Sequence, residues 1–165
     1  MLELRGRHNK SQPMRPAYLV LAILLTSFMA VGVTACSKLK PPVGKWEGGT
    51  ERGGNLVVAR VEILPSGLVR VMAPDITNAF GTPEQVGHVR DRLASDLVNG
   101  WSDIVPREFD FDGKTFRKPG GMAPQMVWDK DTKQITLQLY IGVNPVLRVP
   151  LRPVAEFHDS PWASG

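Results

Sequence analysis

The chain has 165 residues, with 20 basic against 16 acidic side chains, three histidines and a single cysteine. One cysteine excludes an intrachain disulfide and any zinc site built on several thiolates. The positive excess is uneven: Arg5, Arg7, Lys10 and Arg15 precede residue 36 with only Glu3 against them, which leaves 16 basic and 15 acidic residues beyond and no general electrostatic case for nucleic acid.

An uncharged apolar run follows Arg15, from Ala17 to Ala35, and it ends in Val33-Thr34-Ala35-Cys36. A basic segment, an apolar core and small residues at the end are the three parts of an export signal. Residues 14–36, with that four-residue ending, resemble the signal and lipobox of bacterial lipoproteins. The resemblance implies a diacylglyceryl group on the Cys36 sulfur, cleavage between Ala35 and Cys36, and acylation of the new amino group. Thr34 and Ala35 are small enough for a protease groove, and two or more acyl chains hold a protein stably at a bilayer. Two other readings compete. A spanning helix wants about 20 apolar residues, and this run is diluted by Thr26, Ser27 and Gly32. Cys36 could also be an ordinary buried thiol. Met14-Arg15 alone would begin a compact signal, so Met14 is the expected translation start; mass spectrometry of the precursor tests that.

The expected organisation is a signal peptide over 1–35, a lipidated anchor and tether over 36–43, one β-rich domain over 44–156, and a loose tail over 157–165. Lys38, Lys40, Pro41 and Pro42 suit a short extended tether beside an anionic surface. In the enteric version of the lipoprotein family an aspartate after the cysteine favours the inner membrane. Ser37 stands there, which leans toward the outer membrane. The implied location is the cell envelope, facing the periplasm.

Gly44-Lys45-Trp46 opens the domain. Glycine, any residue and tryptophan at the head of a first strand resemble the lipocalin-type entry, which implies a tryptophan closing one end of a small barrel. A buried tryptophan on a first strand is equally at home in any small β domain. Next, 55–64 and 68–73 read as a hairpin. Val57, Ala59, Val61 and Ile63 share one face, Arg60 and Glu62 the other, and Pro65-Ser66-Gly67 turns the chain. Thr82 is the expected N-cap of a helix with Pro83 in the first turn and Gln85 completing a capping box. Val86, Val89, Leu93, Leu97 and Trp101 mark its apolar face, and Asn99-Gly100 is the expected stop. That face suits covering one side of the sheet or docking a partner.

Short strands fill the second half. Phe109 and Phe111 lead through Asp112-Gly113 into 114–117. Residues 125–128 then pair with 134–141. Leu147, Val149 and Leu151 alternate with Arg148, Pro150 and Arg152. Pro150 lacks an N–H, so this strand is expected at an edge or a bulge. The fold class is mainly β (α+β): an antiparallel sheet or partly closed small β-barrel, with one amphipathic helix after the third strand.

Chemical signals are sparse. Asp110 and Asp112, two apart, could face one way and bind a cation; Asp129 and Asp131 read as turn residues. His88 and His158 have no metal-ligand spacing. Arg148 and Arg152, with Arg117 and Lys118, could form a basic rim that protects an edge. No catalytic residue, metal ligand or cofactor is assigned. Three functions compete. A lipid-anchored interaction or structural module would hold an envelope protein partner. A lipocalin-like carrier would enclose a small apolar ligand in a cavity of a few hundred Å³. An envelope hydrolase would need a pocket with a perturbed histidine or carboxylate.

Overall fold

The computed structural model describes residues 39–141 and 144–162. Ala35, Cys36 and the whole leader lie outside the described residues.

Alternation builds the first hairpin. β1 (Gly44–Arg52) and β2 (Asn55–Ile63) pair antiparallel from Gly44↔Ile63 to Arg52↔Asn55. The turn is Gly53-Gly54, both at positive φ, as a tight two-residue hairpin demands. β3 (Val69–Met72) returns along β2, and the two-residue β4 (Thr77–Asn78) adds to the other end of β2. After the helix come β5 (Asp110–Phe111), β6 (Thr115–Arg117), β7 (Pro124–Asp129), β8 (Gln134–Ile141) and β9 (Asn144–Val154). The strand order is β3-β2-β1-β9-β8-β7-β6-β5, with β4 off that path. The antiparallel sheet curls into a half-barrel. Its two ends, β3 and β5, do not pair. One bridge spans the gap: Val69 N–H donates to Arg107 O at 2.8 Å and Arg107 N–H to Val69 O at 2.9 Å.

The inner face is filled. Val57, Ala59, Val61 and Ile63 point inward as their period of two requires, and meet Phe116, Met126, Ile135, Val149 and Leu151. Trp46 closes one end of this core. Its indole N–H donates to Lys133 O at 3.0 Å, and its ring stands edge-on to Trp128 at 5.8 Å.

β2 is buried on its outer face too. Leu56 and Val58 lie beneath α1 (Pro83–Trp101), against Leu93 and Leu97. The helix start matches expectation: Gln85 N–H donates to Thr82 Oγ1 at 3.3 Å and Thr82 N–H to Gln85 Oε1 at 2.9 Å. The end does not. Gly100 lies inside the helix, which runs to Trp101 with Ser102 as its C-cap. A Cβ at Gly100 would come within 2.5 Å of Met72 Cε, the end of a flexible side chain that can move aside, so clearance alone does not require glycine there.

Of the two places expected for the strand that holds Pro150, the edge is overturned, while β9 does carry a register shift of the bulge kind, between Leu139↔Leu147 and Tyr140↔Pro145 rather than at Pro150 itself. β9 lies between β1 and β8, near the middle of the sheet. The β1–β9 ladder covers only Lys45↔Val154 to Glu47↔Arg152. Pro150 lies past its end with its carbonyl directed at Gly48, so the missing N–H interrupts no pairing there. A Cβ on Gly48 would come within 2.3 Å of Pro150 O, a backbone atom that cannot swing aside. Gly48→Ala should therefore cost about 1–3 kcal/mol by forcing β1 off β9. A urea midpoint equal to that of the parent would show that the strands part more easily than this contact implies.

Residues 157–162, expected within a loose tail, pack on the outer face of β1 and β2. Phe157 stands edge-on to Trp101 at 4.9 Å, and Trp162 N–H donates to Arg90 O at 3.1 Å. The Trp162 ring covers Gly49, where a Cβ would come within 2.5 Å of it.

Candidate functional site

The gap between the sheet's two ends is where the interior can be reached. The segment 103–109 crosses it as a strap, held by the Val69–Arg107 bridge and by Arg70 Nε donating to Ile104 O at 2.9 Å. Arg70 is set for this by Glu62, at 3.3 Å, and by the Trp101 ring beneath its guanidinium. Beside the strap lies a cleft of about 580 Å³. Its floor is the barrel core itself: Val69, Met126 and Leu137, each at most 4% exposed. Ile104 and Phe109 form its apolar walls, and Val105 on the strap is 69% exposed. The rim carries both signs of charge, Asp103 and Glu108 with Arg107 and Lys118. Such a cleft can take an apolar group and orient polar neighbours around it.

The cleft is a mouth in the wall and not an enclosed chamber. Phe116, Met126, Ile135 and Leu151, all fully buried, occupy the centre that a barrel carrier would leave free.

A second polar cluster lies on the outer face, where sequence reasoning placed nothing. Glu47 on β1 is fully buried and sits in register between Arg60 of β2 and Arg152 of β9. Arg60 Nε lies 3.5 Å from Glu47 Oε2, and an Arg60 Nη donates to His158 O. The Arg60 guanidinium also covers the Phe157 ring at 4.9 Å. His158 gives its backbone N–H to Glu47 Oε2 at 3.2 Å, and its Nδ1 lies 2.5 Å from Glu47 Oε1. A carboxylate beside an imidazole is the orienting half of a general base. Here the same carboxylate also takes the backbone N–H, so the pair holds the tail to the sheet. The available signals were the polar positions of β1 and β2 beneath an expected helical cover, and two aromatics in the tail. The alternation alone left Arg60 on a solvated face.

The remaining candidates separate. Asp112 lies beyond β5 in the turn and does not share a strand face with Asp110. It accepts from Lys114 N–H at 2.9 Å, Thr115 N–H at 2.6 Å and Thr115 Oγ1 at 2.5 Å, and pairs with Arg117 at 2.6 Å. Asp129 accepts from the N–H groups of Asp131 and Thr132, a turn residue as expected. His88 is exposed on the helix. The four cations do not form one edge rim: Arg117 turns to Asp112, Lys118 lines the cleft, and Arg148 and Arg152 belong to interior strand β9. Among the described residues, no group of three or more His, Cys, Asp or Glu is placed to hold a metal ion. Among them, too, no helix is long and apolar enough to cross a membrane.

The turn carboxylates give a pH prediction. The Thr115 hydroxyl, then Arg117 and the N–H groups of Thr115 and Lys114, hold Asp112 well below the usual carboxylate range. The N–H groups of Thr132 and Asp131 lower Asp129 likewise. A depressed folded pKa stabilises the fold above the unfolded value of about 3.9 and loses that contribution as pH falls through the folded value. Asp112→Asn should therefore lower Tm at neutral pH, with the gap to the parent closing as pH falls below about 4. Parallel curves over the whole range would show that the charge of Asp112 contributes nothing.

Comparisons with protein-family profiles, with curated proteins and with solved structures found no match for this chain.

Proposed function

We propose that this chain is a lipid-anchored lipoprotein of the bacterial cell envelope, facing the periplasm from the outer membrane, and that its domain is a non-catalytic interaction module. The anchor rests on the resemblance of residues 14–36 to a lipoprotein signal, with Cys36 as the lipidated residue. The observation that supports a binding module is the cleft beside the strap, open to the surface with an apolar floor and a rim of mixed charge. Its occupant is an apolar side chain on an extended segment of an envelope protein. An open cleft above a packed core favours that over the second reading, a lipocalin-like carrier that must surround its ligand.

Photocrosslinking in intact membranes tests this. A benzophenone amino acid at Val105, on the strap, should give a discrete protein adduct. The same group at Met122, 94% exposed on the β6–β7 loop, should not. A small apolar molecule co-purifying with the chain, with no adduct at Val105, would replace the module by the carrier. Equal adducts at both positions would remove the cleft from the reading.

A further inference from the structure

The tether does not leave the domain at an arbitrary point. Leu39 lies against the β5–β6 turn, where a Cβ on Gly113 would come within 3.1 Å of its Cδ1. Pro41 lies beside Gly67 in the β2–β3 turn, and a groove joins these tether residues to 64–67 and 109–111. The β7–β8 turn closes the same end, since Lys133 O takes the indole N–H of Trp46 and Trp128 N–H donates to Lys114 O. Three loops and the tether therefore share one end of the half-barrel. Three peptide steps separate Cys36 from Leu39, a reach of about 11 Å at most.

The chemistry of this end is specific. Among the described residues every lysine except Lys118 is here: Lys40, Lys45, Lys114, Lys130 and Lys133. Lys40, Lys114, Lys130 and Lys133 are exposed, as are Leu39 and Val43 on the tether, each 59%. Acidic residues are present as well, but the two best-placed carboxylates are turned into their own loops, Asp112 onto Thr115 and Arg117, and Asp129 onto backbone N–H groups. Glu156 is paired with Lys45 at 2.5 Å. Asp110 and Asp131 remain exposed beside them. Two ion pairs cancel in place, Lys45 with Glu156 and Arg117 with Asp112, and the hydrogen-bonded Asp129 stays ionised, so Lys40, Lys114, Lys130 and Lys133 stand against Asp110, Asp129 and Asp131: a mixed surface with a small positive excess.

We propose that this end of the barrel is a membrane-facing surface, whose lysines lie on the anionic headgroups of the bilayer that holds the Cys36 lipid. The proposal rests on the lipoprotein reading above and adds an orientation to it. Basic side chains beside an acyl anchor add to its hold on an anionic surface. The bilayer-facing end leaves the cleft on the side wall open to the periplasm.

The test uses the full chain, purified from membranes and reconstituted into vesicles of phosphatidylcholine with or without phosphatidylglycerol. The mass of its N-terminal peptide is read first: an unmodified Cys36 removes the lipoprotein reading, and the orientation with it. With the lipid present, fluorophores are placed by Ser66→Cys, in the β2–β3 turn, and by Met122→Cys, at the opposite end. A headgroup-attached quencher should act several-fold more strongly at position 66. That difference should grow with phosphatidylglycerol and collapse in a Lys114→Glu, Lys130→Glu, Lys133→Glu variant. Equal quenching at both positions on the lipidated chain would overturn the orientation while leaving the anchor standing. So would a difference that ignores both the anionic lipid and the lysine variant.

Discussion

Glu47→Ala is expected to lower the unfolding free energy by about 3–5 kcal/mol, the usual cost of breaking one side of a buried ion pair. Glu47 is fully buried and Arg60 only 4% exposed, so the substitution strands a guanidinium where water cannot reach it. It also removes the acceptor for the His158 N–H, and with it the hold on the tail. The pair itself need not be the source of stability, because desolvating two charges offsets most of their attraction. The double variant Glu47→Leu with Arg60→Met should therefore recover most of what Glu47→Ala loses. Urea titrations of the three proteins decide it. A Glu47→Ala loss below about 1 kcal/mol, the range of exposed pairs, would mean that this carboxylate is hydrated. Limited proteolysis should cut Glu47→Ala first near residues 155–160.

Trp46→Ala should cost about 3–5 kcal/mol, as large buried aromatics do, while Trp46→Phe should cost far less. The indole does two separable things. It plugs the barrel end against Trp128, and it supplies one hydrogen bond to Lys133 O, which ties the β7–β8 turn to β1. A neutral hydrogen bond contributes about 0.5–1.5 kcal/mol, so packing should dominate the difference. Denaturant titration of both variants separates the two contributions. If Trp46→Phe proves as costly as Trp46→Ala, anchoring the turn matters more than filling the end.

What could be read from the residues was local. The inward set of β2, the capping box at Thr82 and Gln85, the turn at Asp112-Gly113 and the pairing of β7 with β8 all follow from neighbours a few positions apart. The position of β9 did not follow. Pairing Lys45 with Val154 is a contact across most of the domain, and Pro150 pointed the other way until the short β1–β9 ladder showed why it is tolerated. The cleft was illegible for the same reason. It exists because β3 and β5 fail to meet, which is a property of the whole curl and of no single segment. The outer cluster was half legible: Glu47 and Arg60 stand on the polar parity of their strands, but only the returning tail makes that parity dry.

The middle place of β9 has a consequence for how the molecule comes into being. The strand made last is the one that joins the early β1–β4 portion to the late β5–β8 portion. Until it arrives, neither portion has its neighbour across the centre, and the inner core has no shared wall. Non-local pairing of this kind makes folding slow, because the loop must close before its contacts repay the lost freedom. A polypeptide built this way stays open until β9 has been made. Under the export proposed above, that openness would be an advantage, since a precursor could not lock into its final shape on the wrong side.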